Sequence, residues 1–310
     1  MRMRGQFSLS PRPGQQENER PYARRGRLAR TKAVFPLLNQ DFIVAQSANL
    51  TVMINAVRKA ARGVQRDFGE IANLQVSVKG PGNFVTAADK RCEKVIREEL
   101  EKARPGYSFL MEESGSVKGS DAEHRWIIDP IDGTTNFIHS IPFFAISVAL
   151  ERKGDLLAAV TYNPITDELF TAERGQGAYL NKHRLRVAGR KSLPDVVAAW
   201  GIPSIGDEDR HAQFQREMVR LQPRLAAIRQ MGSAALELAY VAAGRIDVMQ
   251  GRGLEPWDTA AGILMVREAG GVAISAEGET ASFETGTVLA GNVDLVPIIK
   301  AEIAAARKAG

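Results

Sequence analysis

The sequence predicts an α/β chain, with α+β character in its first half, and three features carry that prediction. Amphipathic helices open the ordered body, short apolar strands follow one another between residues 107 and 181, and strands alternate with helices after about residue 185. A run of strands marks an antiparallel sheet, and alternation marks an α/β layer.

The first helix begins near residue 47. Leu50, Met53, Ile54, Val57, Ala61, Val64 and Phe68 recur at three- and four-residue steps, which places them on one helical face. Leu74, Val76 and Val78 then alternate as in a strand, and Gly80-Pro81-Gly82 breaks it. Thr86 is read as the N-cap of a helix reaching about Ala103, with Asp89 at the capping-box position and Pro105-Gly106 as the stop. The stretches 107–111, 125–129, 143–151, 156–164, 168–173 and 177–181 read as consecutive antiparallel strands. Beyond them, strands at 195–201, 225–230, 246–250, 271–275 and 287–291 alternate with helices at 207–221, 233–243, 257–269 and 294–308. The expected organisation is a basic extension over 1–46, a sheet-bearing sub-domain over 47–185 and an α/β sub-domain over 186–310.

Composition excludes several classes. With 44% hydrophobic and 25% charged residues the chain is ordinary for a globular protein. No run of 18 apolar residues occurs, so no membrane span is expected. A single cysteine, Cys92, rules out an internal disulfide framework, fits a reducing cytoplasm and reads as a core thiol. The net charge of +5 would suit a nucleic-acid binder, but its distribution does not. Residues 1–40 hold nine Lys/Arg against Glu17 and Glu19, a net of +7, which leaves the other 270 residues at −2. The basic extension is rich in Arg, Pro, Gly and Gln, a composition that does not support a packed core. A transit peptide, a start codon assigned too far upstream and a basic arm touching RNA are all compatible with it. The four histidines, His124, His139, His183 and His211, are scattered and fall in no motif.

The chemistry concentrates in acids at element ends. In WIIDPIDGTTNF, residues 126–137, an apolar strand ends at Asp129, Pro130 fixes its exit and Asp132-Gly133 turns the chain. FLMEESG places Glu112 and Glu113 directly after another strand, and GLEPWDTAAG places Asp258 at a helix start. Taken singly, each has a plain explanation: turn chemistry, a solvated pair, an acid favoured by the helix dipole. Together they are acids from three separated segments, each at an element end. All-oxygen carboxylate sites suit hard cations such as Mg²⁺. Glu112, Asp129, Asp132 and Asp258 bring a charge of −4, which two Mg²⁺ would neutralise, so that a loaded site could clamp a phosphate. Gly133-Thr134-Thr135 offers backbone N–H groups to phosphate oxygens, and the Thr134 hydroxyl can orient a water or cap a helix.

At this point the chain resembles the inositol monophosphatase family, and in particular its bacterial SuhB-type branch. WIIDPIDGTTNF and WDTAAGILMVREAGG (257–271) match both family signatures, EES and VTAAD (85–89) match as well, and GSAALELAYVAAGRID (232–247) resembles the SuhB branch. The similarity runs from about residue 48 to 300. The resemblance implies a layered αβαβα sandwich of the inositol monophosphatase/fructose bisphosphatase type. It also implies a cytoplasmic homodimer that hydrolyses phosphate monoesters with two or three Mg²⁺ per site and is inhibited by Li⁺. Glu112, Asp129 and the carbonyl of Ile131 would hold the first metal, and Asp129, Asp132 and Asp258 the second. Gly133 and Thr134 would present backbone amides to the phosphate. Thr134, hydrogen-bonded toward Glu112, would position the attacking water. Asp89 and Lys79 match residues near the site, and Gly232, Ser233 and Ala234 fall where relatives contact the substrate alcohol. The chain departs from the pattern at Gly251, seven positions before Asp258, where many inositol-hydrolysing members carry a glutamate that binds sugar hydroxyls. Thr135-Asn136 argues against the nucleotide-hydrolysing branch, which tends to have Lys-Glu there. The competing function is a SuhB-like binding factor for RNA polymerase, RNA or ribosome-assembly machinery; Arg229 and the basic extension are compatible with it.

Overall fold

The computed structural model describes residues 46–70, 76–80, 83–203, 205–275 and 283–308. The basic extension and residues 71–75 lie outside them. Helix α1 (Ala48–Gly69) starts where the apolar periodicity does, and the Ser47 side chain accepts from the Leu50 amide as its N-cap. Strands β1 (Val76–Gly80) and β2 (Asn83–Thr86) form a small antiparallel pair. Helix α2 (Ala87–Ala103) opens with the expected capping box, in which Thr86 and Asp89 satisfy each other's backbone amides.

An eight-stranded sheet follows. It comprises β3 (Ser108–Met111), β4 (Gly115–Val117), β5 (His124–Asp132), β6 (Ala145–Arg152), β7 (Asp155–Asn163), β8 (Glu168–Glu173), β9 (Gly177–Leu180) and β10 (His183–Arg184), in the order β10-β9-β8-β7-β6-β5-β3-β4. From β5 to β9 the strands pair consecutively and antiparallel, as the sequence predicts, and the two-residue β10, which the sequence does not show, extends the series. The first strand corrects the expectation: β3 runs parallel to β5. The short hairpin partner β4 takes the antiparallel place beside β3 and carries the chain back, so β5 enters from the same end as β3.

The second half forms a five-stranded sheet from β11 (Val197–Trp200), β12 (Ala227–Arg229), β13 (Val248–Arg252), β14 (Val272–Ile274) and β15 (Thr287–Gly291), in the order β12-β11-β13-β15-β14. The pairs of β11 are parallel and those of β15 antiparallel. Four helices accompany it, α4 (Glu208–Leu221), α5 (Ala234–Ala242), α6 (Pro256–Glu268) and α7 (Leu295–Lys308), while a one-turn α3 (Thr134–Ile138) follows β5.

Three apolar cores set the layering. Trp126 and Ile128 of β5 pack with Met53, Val57, Ile96 and Leu100 under α1 and α2. Ile127 faces the other way, into a core with Leu236, Leu238, Ile263 and Met265 of α5 and α6, which also reaches Met249 and Ala290 of the second sheet. Val248 and Leu289 turn outward to Leu221 of α4 and Ile299 of α7. The order is therefore helix, sheet, helix, sheet, helix, with α5 and α6 as the central layer touching both sheets. These two helices are apolar nearly all round, which suits burial on two sides. Among the described residues no helix is long and apolar enough to cross a membrane.

Candidate active site

The site forms where β5 meets the central helical layer. The sequence places the strand end at Asp129, but the strand continues to Asp132. Asp129 pairs with Ser147 and Asp132 with Ala145, so β5 spends three steps where β6 spends two. That is a β-bulge, and Pro130, which cannot donate to a ladder, sits within it. The bulge has a geometric consequence. Residues three apart on a regular strand point to opposite faces. One extra residue restores the phase, so Asp129 and Asp132 share the face toward α5 and α6, while Ile128 and Ile131 share the α1/α2 core. The Cys92 thiol donates to the Pro130 carbonyl at 3.3 Å from beneath the bulge.

Two more segments bring acids to this face. Met111 of β3 pairs with Ile128, so the next residue, Glu112, lies beside Asp129. The Glu112 amide donates to the Ile128 carbonyl at 3.2 Å, and its carboxyl hydrogen-bonds the Asp129 carboxyl. Asp258 stands in the first turn of α6, where it closes a capping box by accepting from the Glu255 amide at 2.8 Å. The plain helix-start reading and the ligand reading of Asp258 therefore hold together. One carboxylate oxygen from each of Asp129, Asp132 and Asp258 lies within 4.8 Å of the others.

Burial makes this cluster costly as anions. Asp129 is 2% and Asp132 8% exposed. Desolvation, then the charges of Glu112, Asp132 and Asp258, push the Asp129 carboxyl well above its usual range. Desolvation, with Asp132 and Glu112 next among the raising charges, does the same to Asp258. Asp132 rises only to about 6, because hydrogen-bond donors offset its burial. Those donors are the N-terminus of α5: the Ser233 hydroxyl, the Ala235 amide at 2.8 Å and the amides of Ala234 and Leu236. Ser233 and Ala234, expected near the substrate alcohol, are thus tied to Asp132.

Asp89 is fully buried beside the bulge, and desolvation foremost raises its pKa to about 6. The Thr134 hydroxyl lies 3.2 Å from the Ile131 carbonyl and 3.4 Å from Asp89 Oδ1. Thr134 is the first residue of α3 rather than its cap; Gly133 holds the cap position with φ +95. A side chain at Gly133 would be strained by that φ, and its Cβ would fall 2.9 Å from the Gly232 carbonyl. Lys79 lies on β1, and its side chain is outside the described residues.

Three supporting residues escaped the sequence reading. Glu93, 3% exposed, accepts from the Glu113 amide at 2.8 Å and from the Ser114 hydroxyl, and so fixes the turn that carries Glu112. Its signal was present: Asp89 and Glu93 are acids four apart on an apolar helix face. Glu237 accepts from the amides of Met231 and Gly232, at 2.8 and 3.3 Å. Asn136 donates to the carbonyls of Phe143 and Met231, each at 2.7 Å, and pins the 231–233 loop to α3.

Residues 45–309 match the model of the inositol monophosphatase family. The chain belongs to the inositol monophosphatase family. It is 54% identical over 249 residues to an inositol-1-monophosphatase of Mesorhizobium japonicum, covering 80% of this chain and 93% of that protein. The Escherichia coli protein named Nus factor SuhB is 41% identical over 258 residues, covering 82% of this chain and 95% of the other. A solved structure of the extragenic suppressor protein suhB from Bartonella henselae superposes with TM-score 0.80 at 50% identity, over 83% of this chain and 98% of that one. This family member thus has the layered α/β architecture the resemblance implied, and its relatives support phosphatase activity.

Proposed function

We propose that this chain is a Mg²⁺-dependent phosphomonoesterase acting on inositol 1-phosphate or a related small phosphate ester. One observation carries the reading: Asp129, Asp132 and Asp258 converge from a bulged strand and a helix start, with Glu112 beside them. The donor set is all oxygen, as a hard divalent cation requires, and the buried like charges raise each other's pKa as groups awaiting a cation do. Glu112, Asp129 and the Ile131 carbonyl would hold one ion, and Asp129, Asp132 and Asp258 another, with two or three ions in all. Bound there, Mg²⁺ supplies Lewis acidity, neutralising phosphate charge and acidifying water.

The chain's own residues supply position and proton transfer. With its hydrogen shared between Asp89 and the Ile131 carbonyl, Thr134 keeps oxygen lone pairs that can accept a hydrogen from the attacking water. Asp89, its pKa near 6, is placed to take up the proton through Thr134. The amides of Gly133 and Thr134 are assigned to the phosphate, and Lys79 and the 232–234 loop to its surroundings. We also assign a homodimer, inhibition by Li⁺ and a cytoplasmic location. The test is hydrolysis of a panel of phosphate esters with Mg²⁺, with Mg²⁺ plus Li⁺, and with EDTA. Activity in the first alone is expected; equal activity in EDTA would overturn the reading.

The similarity to proteins named Nus factor SuhB supports a second role in binding transcription machinery. Arg229, exposed on edge strand β12, is a candidate contact. Direct binding of the full chain to RNA polymerase, lost in Arg229→Glu while hydrolysis persists, is the expected outcome. Hydrolysis without any such binding would remove this role.

A further inference from the structure

The second sheet carries a cavity, lined by both polar and apolar side chains, that the acid cluster does not use. It measures about 60 Å³ and lies between the outer face of that sheet and α7. Gln250 and Arg252 of β13, Thr287 of β15 and Ser275 just beyond β14 line it, with Lys300 and Arg307 of α7 opposite. Three buried side-chain atoms of these residues have no hydrogen-bond partner among the described residues: Gln250 Oε1, Arg252 Nε and Ser275 Oγ. Gln250 and Ser275 are each only 3% exposed. Buried polar groups are nearly always paired, and leaving them unpaired is costly, so three unpaired groups around one cavity ask for an occupant.

The charges define that occupant. The other two nitrogens of Arg252 are bound to the buried carboxylate of Glu217, at 2.9 and 2.7 Å, so that pair is neutral. Glu302, the one acid of α7, faces Arg220 and Arg224 on α4 and beyond it. Lys300 and Arg307 therefore have no acid left to them on their own helix, and among the described residues they leave the cavity positive. Arg252 Nε and the two cations need an acceptor, Ser275 can give or take, and Gln250 Oε1 needs a donor. A water requires roughly 10–15 Å³, so the cavity has room for several waters or one tetrahedral oxyanion.

We propose that this cavity is an anion site, distinct from the acid cluster, that takes a hydroxylated oxyanion of the hydrogen-phosphate class. Its oxygens accept from Arg252, Ser275, Lys300 and Arg307, and its hydroxyl donates to Gln250. Free phosphate carries that hydroxyl on phosphorus, whereas a small polyol phosphate monoester, a dianion without one at neutral pH, carries hydroxyls only on its carbons, and titration with each separates the two sources.

The test is calorimetric titration of inorganic phosphate into the full chain in EDTA, where the carboxylate cluster repels anions. Glycerol phosphate is the ester arm, and sulfate, which carries no hydroxyl at neutral pH, is the control. Phosphate should bind, sulfate should bind more weakly, and Lys300→Ala/Arg307→Ala should lower phosphate affinity by about tenfold or more with an unchanged melting temperature. Absence of binding would mean the cavity holds only water, and binding indifferent to the double variant or to sulfate substitution would place the anion elsewhere; each overturns the proposal. Glu277 and Glu279 follow Ser275 in the sequence. Tighter phosphate binding in Glu277→Gln/Glu279→Gln would show that the chain's own carboxylates fill the cavity, which overturns it as well.

Discussion

The backbone amide of Ala235 donates to the Asp132 carboxylate across 2.8 Å, though 103 residues separate them. Helix α5 therefore aims its N-terminus at the acid cluster, and Ser233, its N-cap, adds a hydroxyl to the same oxygen. This arrangement keeps Asp132 more acidic than Asp129, which burial and the neighbouring charges of Glu112, Asp132 and Asp258 push up. Removing the hydroxyl should loosen Asp132 as a ligand. Ser233→Ala is expected to weaken apparent Mg²⁺ affinity by about 10–100-fold, the usual scale for groups that orient a metal ligand. A Mg²⁺ titration of turnover measures it, and an unchanged Mg²⁺ requirement would show that Ser233 serves only the helix.

Thr134→Ala should separate binding from turnover. The hydroxyl faces Asp89 and the Ile131 carbonyl, so its loss leaves the four carboxylates in place. A positioned proton-transfer group contributes ~10²–10⁴-fold, and kcat should fall on that scale while calorimetry still detects Mg²⁺. Loss of metal binding instead would make Thr134 a structural residue.

Stability without metal should fall as pH rises. Asp89 is pushed up to about 6 and Glu237 to about 7, each chiefly by burial, with Glu113 and Asp132 respectively adding charge. Unfolded carboxyls titrate near 4. Because the folded values are higher, the fold favours the protonated forms, whose contribution is complete below about pH 4 and is lost as pH climbs through 6 to 7. The melting temperature in EDTA should therefore drop between about pH 5 and 7.5. Mg²⁺ at about 100 times its Kd should restore about 5 °C at pH 7.5. A flat profile, or no response to Mg²⁺, would contradict the charge assignment.

Gly251 sets the expectation for substrate choice. Its φ is not in the left-handed region, so the backbone does not require glycine there. An added Cβ would meet Leu254 Cδ1 at 2.5 Å and Met249 Cε at 3.1 Å, both ends of flexible side chains. Gly251→Glu should be accommodated and should raise kcat/KM for inositol 1-phosphate relative to glycerol 2-phosphate. One hydrogen bond from a charged group is worth ~1.5–3 kcal/mol, roughly ten- to a hundred-fold in the ratio. Strong selectivity for inositol 1-phosphate in the unaltered chain, with no gain from the substitution, would sink the idea.

Much of this was legible in the sequence because it is local. Ser47 and the three- and four-residue apolar steps define α1, and Thr86 with Asp89 announces the start of α2 three residues apart. The four acids stood out because the sequence places each at an element end, although β5 runs on through Asp129 to Asp132. What stayed hidden depends on pairing across the chain. The parallel β3–β5 register, which sets Glu112 beside Asp129, is a choice of partner that no single segment encodes. The bulge at Pro130 and Ile131 exists only relative to β6. The donors of α5 reach Asp132 by tertiary packing, so the hydrogen bond from the Ser233 hydroxyl to that carboxylate has no sign in the local sequence. β4 and β10, three and two residues long, are too short to show a period.

On the proposed function, the bulged strand assembles a metal-dependent hydrolytic site with Asp129 at its centre. The most direct measurement compares inositol 1-phosphate hydrolysis by the full chain and by Asp129→Asn across a Mg²⁺ titration. The unaltered chain should turn over only with Mg²⁺, and Asp129→Asn should lose about 100-fold or more even at saturation, since changes outside the ligands themselves already cost ~10–100-fold. Near-unaltered turnover of Asp129→Asn at saturating Mg²⁺, or hydrolysis by the unaltered chain in EDTA, would contradict the account.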